Sequence, residues 1–446
     1  MAKRNVIIIG AAGRDFHNFN TRYRHDDTTR VVAFTAAQIP DISDRRYPPS
    51  LSGPLYPDGI PIRAEEDLPQ LIADLDVDEC AFSYSDVSYT HVMHLASIVQ
   101  AAGASFILLG PRDTQIASTK PVISVTAVRT GVGKSQTTRK VIETLMTLGL
   151  RPVAIRHPMP YGDLNLQGVQ RFAEVADLAK HNCTIEEMEE YEPHVVRGNV
   201  IYAGADYEAI IRAAEVDPDG CDVIVWDGGN NDMSFYESDL YLTLVDPHRP
   251  GHELLYYAGE TNLRLADVVI INKVDSAPAD GIATVRKNIA MVNPTAAVIT
   301  ANSKLTVDNP EILEGKRVLA VEDGPTLTHG GMTIGAGTVA ALANGASELV
   351  DPRPFAVGRL VETFEIYPEI GTLLPAMGYG AEQIRDLEAT INATDCDAVI
   401  IGTPIDLSRI LTIDKPHTRV HYDLDEIGEP NLRTVLTAFA TDHGLV

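Results

Sequence analysis

At 446 residues the chain is long enough for two or three domains with separate cores, and a hydrophobic content of 45% is that of an ordinary globular protein. A net charge of −26 argues against nucleic-acid partners and against anionic membranes, so any bound polyphosphate must be met by locally gathered cations. Four scattered cysteines without a C-x-x-C pair, and the lack of an apolar run near ~18 residues, suit a cytoplasmic protein with reduced thiols and no membrane span.

Short apolar runs alternate with helical patterns along the whole chain, which predicts an α/β protein with mainly parallel sheets. The first unit, residues 1–118, reads as a Rossmann-like domain with strands at Asn5–Ile9, Val31–Thr35, Glu79–Tyr84 and Ser105–Leu109. A proline-rich loop over Pro40–Pro61 is long enough to suggest a functional excursion. Directly after the first strand, GAAGRDFHNFNTRYRH gathers Arg14, His17, Arg22 and Arg24. That is where ligands enter an open α/β sheet, so these four residues are expected to bind an anionic substrate.

The second unit, residues 119–348, opens on VISVTAVRTGVGKS, a β-branched strand followed by a Gly-x-Gly-Lys-Ser turn and a helical pattern. That order is what a phosphate-binding P-loop requires. Gly131 and Gly133 let successive N–H groups face a phosphate, Lys134 reaches the β- and γ-phosphates, and Ser135 is placed for Mg²⁺. Arg129 stands two residues before the first glycine, where this shortened P-loop variant often has lysine. Further on, CDVIVWDGG places Asp227 after four apolar residues, as a second Mg²⁺ ligand beside Ser135.

VIINKVD ends another strand with Asn272, Lys273 and Asp275, the N-K-x-D arrangement whose Asp accepts from two guanine donors that adenine lacks. Taken alone it favours GTP over ATP. Two more basic islands sit at strand ends. IRHPMPYGDL brings Arg156 and His157 to bind phosphate and Asp163 as a base or metal contact, and DPHRPGHE brings Arg249 as an anion-binding residue. A small α/β third unit covers residues 349–446, with a strand at Ala398–Ile401 and helical patterns at Ala381–Ile391 and Asn431–Phe439.

Taken together, GAAGRDFHNFN, RRYPPSLSGPLYPDGIPI, AVRTGVGKS, RHPMPYGDL, WDGGNND, INKVD and VEDGPTLTHGG resemble the cyclic 2,3-diphosphoglycerate synthetase family over nearly the whole chain. The P-loop part also resembles the wider class of dethiobiotin synthetase and the nickel-insertion GTPases, which implies a homodimer. The family resemblance implies an ATP-dependent ligase that cyclises 2,3-diphosphoglycerate to its phosphoanhydride, releasing ADP and phosphate. On that reading Arg14, Arg156 and His157 bind the substrate phosphates, and ATP takes precedence over GTP because the resemblance covers more of the chain than INKVD does. The alternative is a GTP-hydrolysing switch or metallochaperone built on the INKVD motif.

Overall fold

The computed structural model describes residues 3–11, 13–36, 45–156, 164–324, 334–377 and 381–446. Its first unit is a six-stranded sheet in the order Arg46–Tyr47, Ile60–Ala64, Thr29–Ala36, Arg4–Ile9, Glu79–Phe82 and Ser105–Leu108. All neighbours are parallel except the first two. Two strands therefore come from the segment that reads as a proline-rich loop. Val6, Ile8 and Phe34 pack on one face of the sheet, and Ile7, Ile9 and Phe82 on the other. Strands buried on both faces are continuous apolar runs, as the sequence shows them.

A second, 13-stranded sheet carries the rest of the chain. Its P-loop half runs Gln170–Phe172, Val200–Ala203, Pro152–Arg156, Val223–Asp227, Val122–Ala127, Leu240–Val245, Val268–Ile271 and Ala297–Val307. Only the first of these strands is antiparallel to its neighbour. The helix Lys134–Thr147 turns Val141, Ile142 and Leu145 into the core against Ile123, Val125 and Ala127. Arg156, Asp227, Asp246 and Asn272 thus line up along one edge, at the carboxyl ends of their strands.

Ala297–Val307 then pairs antiparallel with His417–Ile427, from Thr300 opposite Ile427 to Val307 opposite Val420. This joins the P-loop half to a second half-sheet of His417–Ile427, Ala398–Ile401, Arg317–Asp323 and its neighbours Glu348–Leu349 and Leu374–Ala376. Arg317–Asp323 belongs by pairing to this half, upstream of the expected division at residue 348. Long-range strand pairing decides that, and no local composition shift marks it. Among the described residues no helix is long and apolar enough to cross a membrane.

Candidate active site

The chain leaves the fully buried strand Val122–Ala127 and must reverse within six residues to start its helix. Gly131 and Gly133 make the turn at φ +78° and +103°, a left-handed backbone that favours glycine. A Cβ on Gly133 would stand 2.2 Å from Nδ2 of Asn272, so no side chain fits there. Gly133 precedes the first helical residue and no side chain caps this helix. Its first N–H groups are left to an outside acceptor, and the helix dipole favours an anionic one.

Asp227 is the focus of the surrounding charges. It is fully buried, and its Oδ1 accepts from Nζ of Lys134 at 2.9 Å and from Oγ1 of Thr138 at 3.0 Å. Nη1 of Arg156 lies 3.1 Å from the same oxygen and donates to the Gly228 carbonyl at 3.0 Å. The other guanidinium nitrogen of Arg156 pairs with Glu190, and Nε2 of His194 stands 3.5 Å from Oδ2 of Asp227. Burial alone would push the Asp227 carboxyl up; Lys134 and Arg156 outweigh it and hold it well below the usual range. Burial and the neighbouring Arg156 depress the Lys134 ammonium in spite of Asp227.

Asn272 and Lys273 turn toward the P-loop backbone. Nδ2 of Asn272 donates to the Val132 carbonyl at 2.9 Å, and Nζ of Lys273 donates to the Gly131 carbonyl at 2.6 Å and to Asp246 at 3.0 Å. Asp275 is exposed. Arg249 donates to the Thr130 carbonyl at 2.8 Å and pairs with Asp246 at 3.2 Å, so the DPHRPGHE loop braces the P-loop from outside. Ser135 lies half-buried in the first helical turn.

Arg129 faces the first unit. Its Nε meets Oδ1 of Asp86 at 2.5 Å, its Nη1 donates to Nδ1 of His252 at 2.8 Å, and its guanidinium lies 3.7 Å over the Tyr256 ring. Burial and the adjacent Arg129 push the His252 ring down, which keeps it a neutral acceptor. The second oxygen of Asp86 accepts from the Thr130 N–H at 3.3 Å. A carboxylate of the first unit therefore touches the start of the P-loop.

The first basic island divides in two. Arg14 and His17 are buried against the second unit: Arg14 donates to the Met233 carbonyl and lies 4.6 Å over Phe235, and His17 stacks on the same ring at 4.0 Å. Arg24 approaches Asp206 at 3.7 Å, while Arg22 is a surface residue paired with Asp26 at 3.3 Å. His157 and Asp163 lie outside the described residues.

Sequence reasoning missed Glu190, His194, Thr138 and Asp86. Glu190 and His194 come from the helix Ile185–Val195, capped by Thr184 and Glu187 in a reciprocal box. The spacing of Ile185, Met188 and Tyr191 signals that helix. Its run of glutamates looks like a solvated face, yet Glu186, Glu187, Glu189 and Glu192 are buried. In the half-sheet that contains Arg317–Asp323, Glu322, also buried, fills the N-terminus of the helix Ala336–Ala343 by accepting from the N–H groups of Gly337 at 3.1 Å and Thr338 at 2.6 Å.

No family model matches the chain. It is 60% identical over 438 residues to arginine synthetase ArcE of Thermococcus kodakarensis, covering 98% of this chain and 97% of that protein. Among solved structures, LpxK from Aquifex aeolicus in complex with ATP is 11% identical, with a TM-score of 0.45 over 83% of this chain and 99% of that one. Cobyrinic acid a,c-diamide synthase from Mycobacterium smegmatis, with ADP and magnesium, is 16% identical at a TM-score of 0.19 over 52% of this chain and 85% of that one. Both structural likenesses are too loose to bear on function. The ArcE relation overturns the expected cyclisation of 2,3-diphosphoglycerate and, with it, the GTPase-switch alternative. Of the quoted strings, AVRTGVGKS and WDGGNND carry only the pattern of a phosphate site, which any phosphoryl-activating enzyme needs, so they do not discriminate between second substrates.

Proposed function

We propose that this chain, which belongs to the family of arginine synthetase ArcE, is an ATP-dependent ligase that forms arginine. The observation that carries this reading is 60% identity across nearly the whole length of both proteins. The charged P-loop setting of Lys134 and Asp227 agrees with it. Forming a guanidinium group at the expense of ATP has a defined chemical requirement: an oxygen must become a leaving group before nitrogen attacks. The matching precursor is the ureido amino acid that differs from arginine in that one oxygen, citrulline. Its ureido oxygen takes the γ-phosphoryl group and ADP departs. A nitrogen nucleophile then attacks the ureido carbon, loses a proton, and expels phosphate carrying the former ureido oxygen.

The site residues have separate tasks in this scheme. Gly131, Gly133 and the uncapped helix hold the triphosphate, and Lys134 exchanges Asp227 for phosphate oxygens. Oxygen donors suit Mg²⁺, and among the described residues Oδ2 of Asp227 is buried with only His194 near it, at 3.5 Å, so Asp227 and Ser135 would hold that ion. When bound, Mg²⁺ supplies neutralising charge at the β- and γ-phosphates. Arg156 stabilises the transferring phosphoryl group while Glu190 keeps its guanidinium in place. His157 and Asp163, next in the chain, are the candidates for deprotonating the attacking nitrogen. Asn272 and Lys273 brace the P-loop backbone and Asp275 is exposed, so the expectation of ATP rests on the arginine-forming reading and not on these three residues.

The test is turnover with citrulline labelled with ¹⁸O at the ureido oxygen, MgATP and ammonium, repeated with MgGTP. Arginine, ADP and ¹⁸O-labelled phosphate in equal amounts are expected, with ATP preferred. Arginine formed without label in phosphate would reject phosphoryl activation, and absence of arginine with ammonium or any amino donor would reject the function.

A further inference from the structure

The first sheet has a topological switch point. Arg4–Ile9 is central; the chain goes from it to Thr29–Ala36 on one side and later returns to Glu79–Phe82 on the other. Gly13–Asn18 and Ser83–Asp86, which follow the two adjacent strands, meet at this point, the place where ligands of open α/β sheets bind. An independent observation singles out the same place. Arg14 and Asn18 are only 3% and 2% exposed, yet neither is satisfied.

Arg14 donates through one nitrogen to the Met233 carbonyl, whereas its Nε and Nη1 have no hydrogen-bond partner among the described residues. Asp232 forms a buried ion pair with Nε at 3.5 Å, which balances charge without closing a hydrogen bond. Asn18 donates to Oγ of Ser83 at 2.9 Å, and its Oδ1 receives no hydrogen bond among the described residues. Among the described residues, two guanidinium nitrogens and one amide oxygen lack hydrogen bonds at this buried switch point, and a ligand with an anionic and a cationic end would supply them.

This switch point also neighbours the phosphate end of the P-loop. Asp86, three residues beyond Ser83, contacts Arg129 and the Thr130 N–H. Asn231, two residues before Met233, donates to the Val128 carbonyl at 2.9 Å.

We propose that the crevice walled by Arg14 and Asn18 binds the α-amino-acid end of the second substrate. The carboxylate takes the free donors of Arg14 and the ammonium donates to Oδ1 of Asn18, so the side chain extends toward the P-loop. This assignment rests on the reading of the chain as arginine-forming; without that reading the crevice would still want a zwitterion, but of unspecified side chain. Arg14 and Asn18 are positioning residues in this scheme, remote from the reacting oxygen.

Calorimetric titration of the full-length protein with L-arginine, with agmatine (which lacks the carboxylate) and with 5-guanidinopentanoate (which lacks the ammonium) tests it. The wild-type protein should bind L-arginine about 10- to 100-fold more tightly than agmatine, the range for losing a charge-assisted pair. Arg14→Gln should bring that ratio near one while leaving the affinity for MgATP unchanged. An Arg14→Gln protein that binds MgATP normally and keeps the wild-type ratio would overturn the assignment and leave the arginine reading intact. If Arg14→Gln fails to fold, Asn18→Leu decides. A lost preference for L-arginine over 5-guanidinopentanoate supports the crevice, and an unchanged one rejects it. Wild-type protein that binds neither L-arginine nor citrulline would sink the functional reading itself.

Discussion

Two helices of this molecule come after a buried strand and a glycine-rich stretch of sequence, and they differ in what stands at their N-termini. Ahead of Lys134–Thr147 there is no capping side chain, and the carboxylate of Asp227 is engaged by Lys134, Arg156 and Thr138. Ahead of Ala336–Ala343 the chain supplies its own anion. Glu322 occupies the N-terminus, and a Cβ on Gly335 or Gly402 would come within 2.2–2.3 Å of its carboxylate. One strand–glycine–helix unit is open to a phosphate and the other is already filled. Glycine content alone does not distinguish them; a carboxylate bonded to the first helical N–H groups does.

That comparison can be broken first at Asp227. Asp227→Asn removes the counter-charge of Lys134 and Arg156, and turnover is expected to fall about 10²–10³-fold. Uncompensated buried cations should also cost about 3–5 kcal/mol in the nucleotide-free protein. MgATP should recover part of that loss, because phosphate oxygens then meet the same cations. Thermal melts with and without nucleotide, beside steady-state rates, check both claims, and an unchanged melting temperature would show that the cations find other partners.

At the filled helix the expected effect is on stability and not on rate. Burial raises the Glu322 carboxyl from 4.5 to about 6, outweighing the hydrogen bonds from Thr338 and Gly337. The folded protein thus holds this proton more tightly than the unfolded chain. The contribution is full below pH 4.5 and is lost as pH rises through about 6, amounting to ~2 kcal/mol. Glu322→Gln should flatten that part of the pH–stability curve and leave the KM for ATP alone. A changed KM would tie this helix to the nucleotide site.

The smallest effect sharpens the boundary of the open helix. Asp86 holds Arg129 and the Thr130 N–H, which a phosphate would otherwise engage. Asp86→Asn should tighten MgATP by roughly 0.5–1.5 kcal/mol, a shift of up to about tenfold, visible by titration. Weaker binding instead would mean that Asp86 orders the loop more than it competes.

Much of the geometry around the proposed phosphate site was legible in the sequence because a P-loop is local. A strand, two glycines that need positive φ, Lys134 and the helix succeed one another, and Asp227 ends an unmistakable apolar run. What stayed hidden depends on distant pairing. The burial of Arg14 and His17 is set by Met233 and Phe235, more than two hundred residues on. Glu190 and His194 sit in a stretch whose composition reads as solvated, and only tertiary contact turns them toward Arg156 and Asp227. The assignment of Arg317–Asp323 to the last half-sheet is written in hydrogen bonds to strands that follow it by dozens of residues.

The antiparallel pairing of Ala297–Val307 with His417–Ile427 has a consequence for biosynthesis. The strand that borders the P-loop half leaves the ribosome long before its partner, so its unpaired backbone edge stays uncovered while the intervening residues are made. Uncovered edges recruit other chains. Slowing translation between codons 308 and 417 should therefore raise the aggregated fraction of newly made protein. Slowing it equally before codon 297 should not.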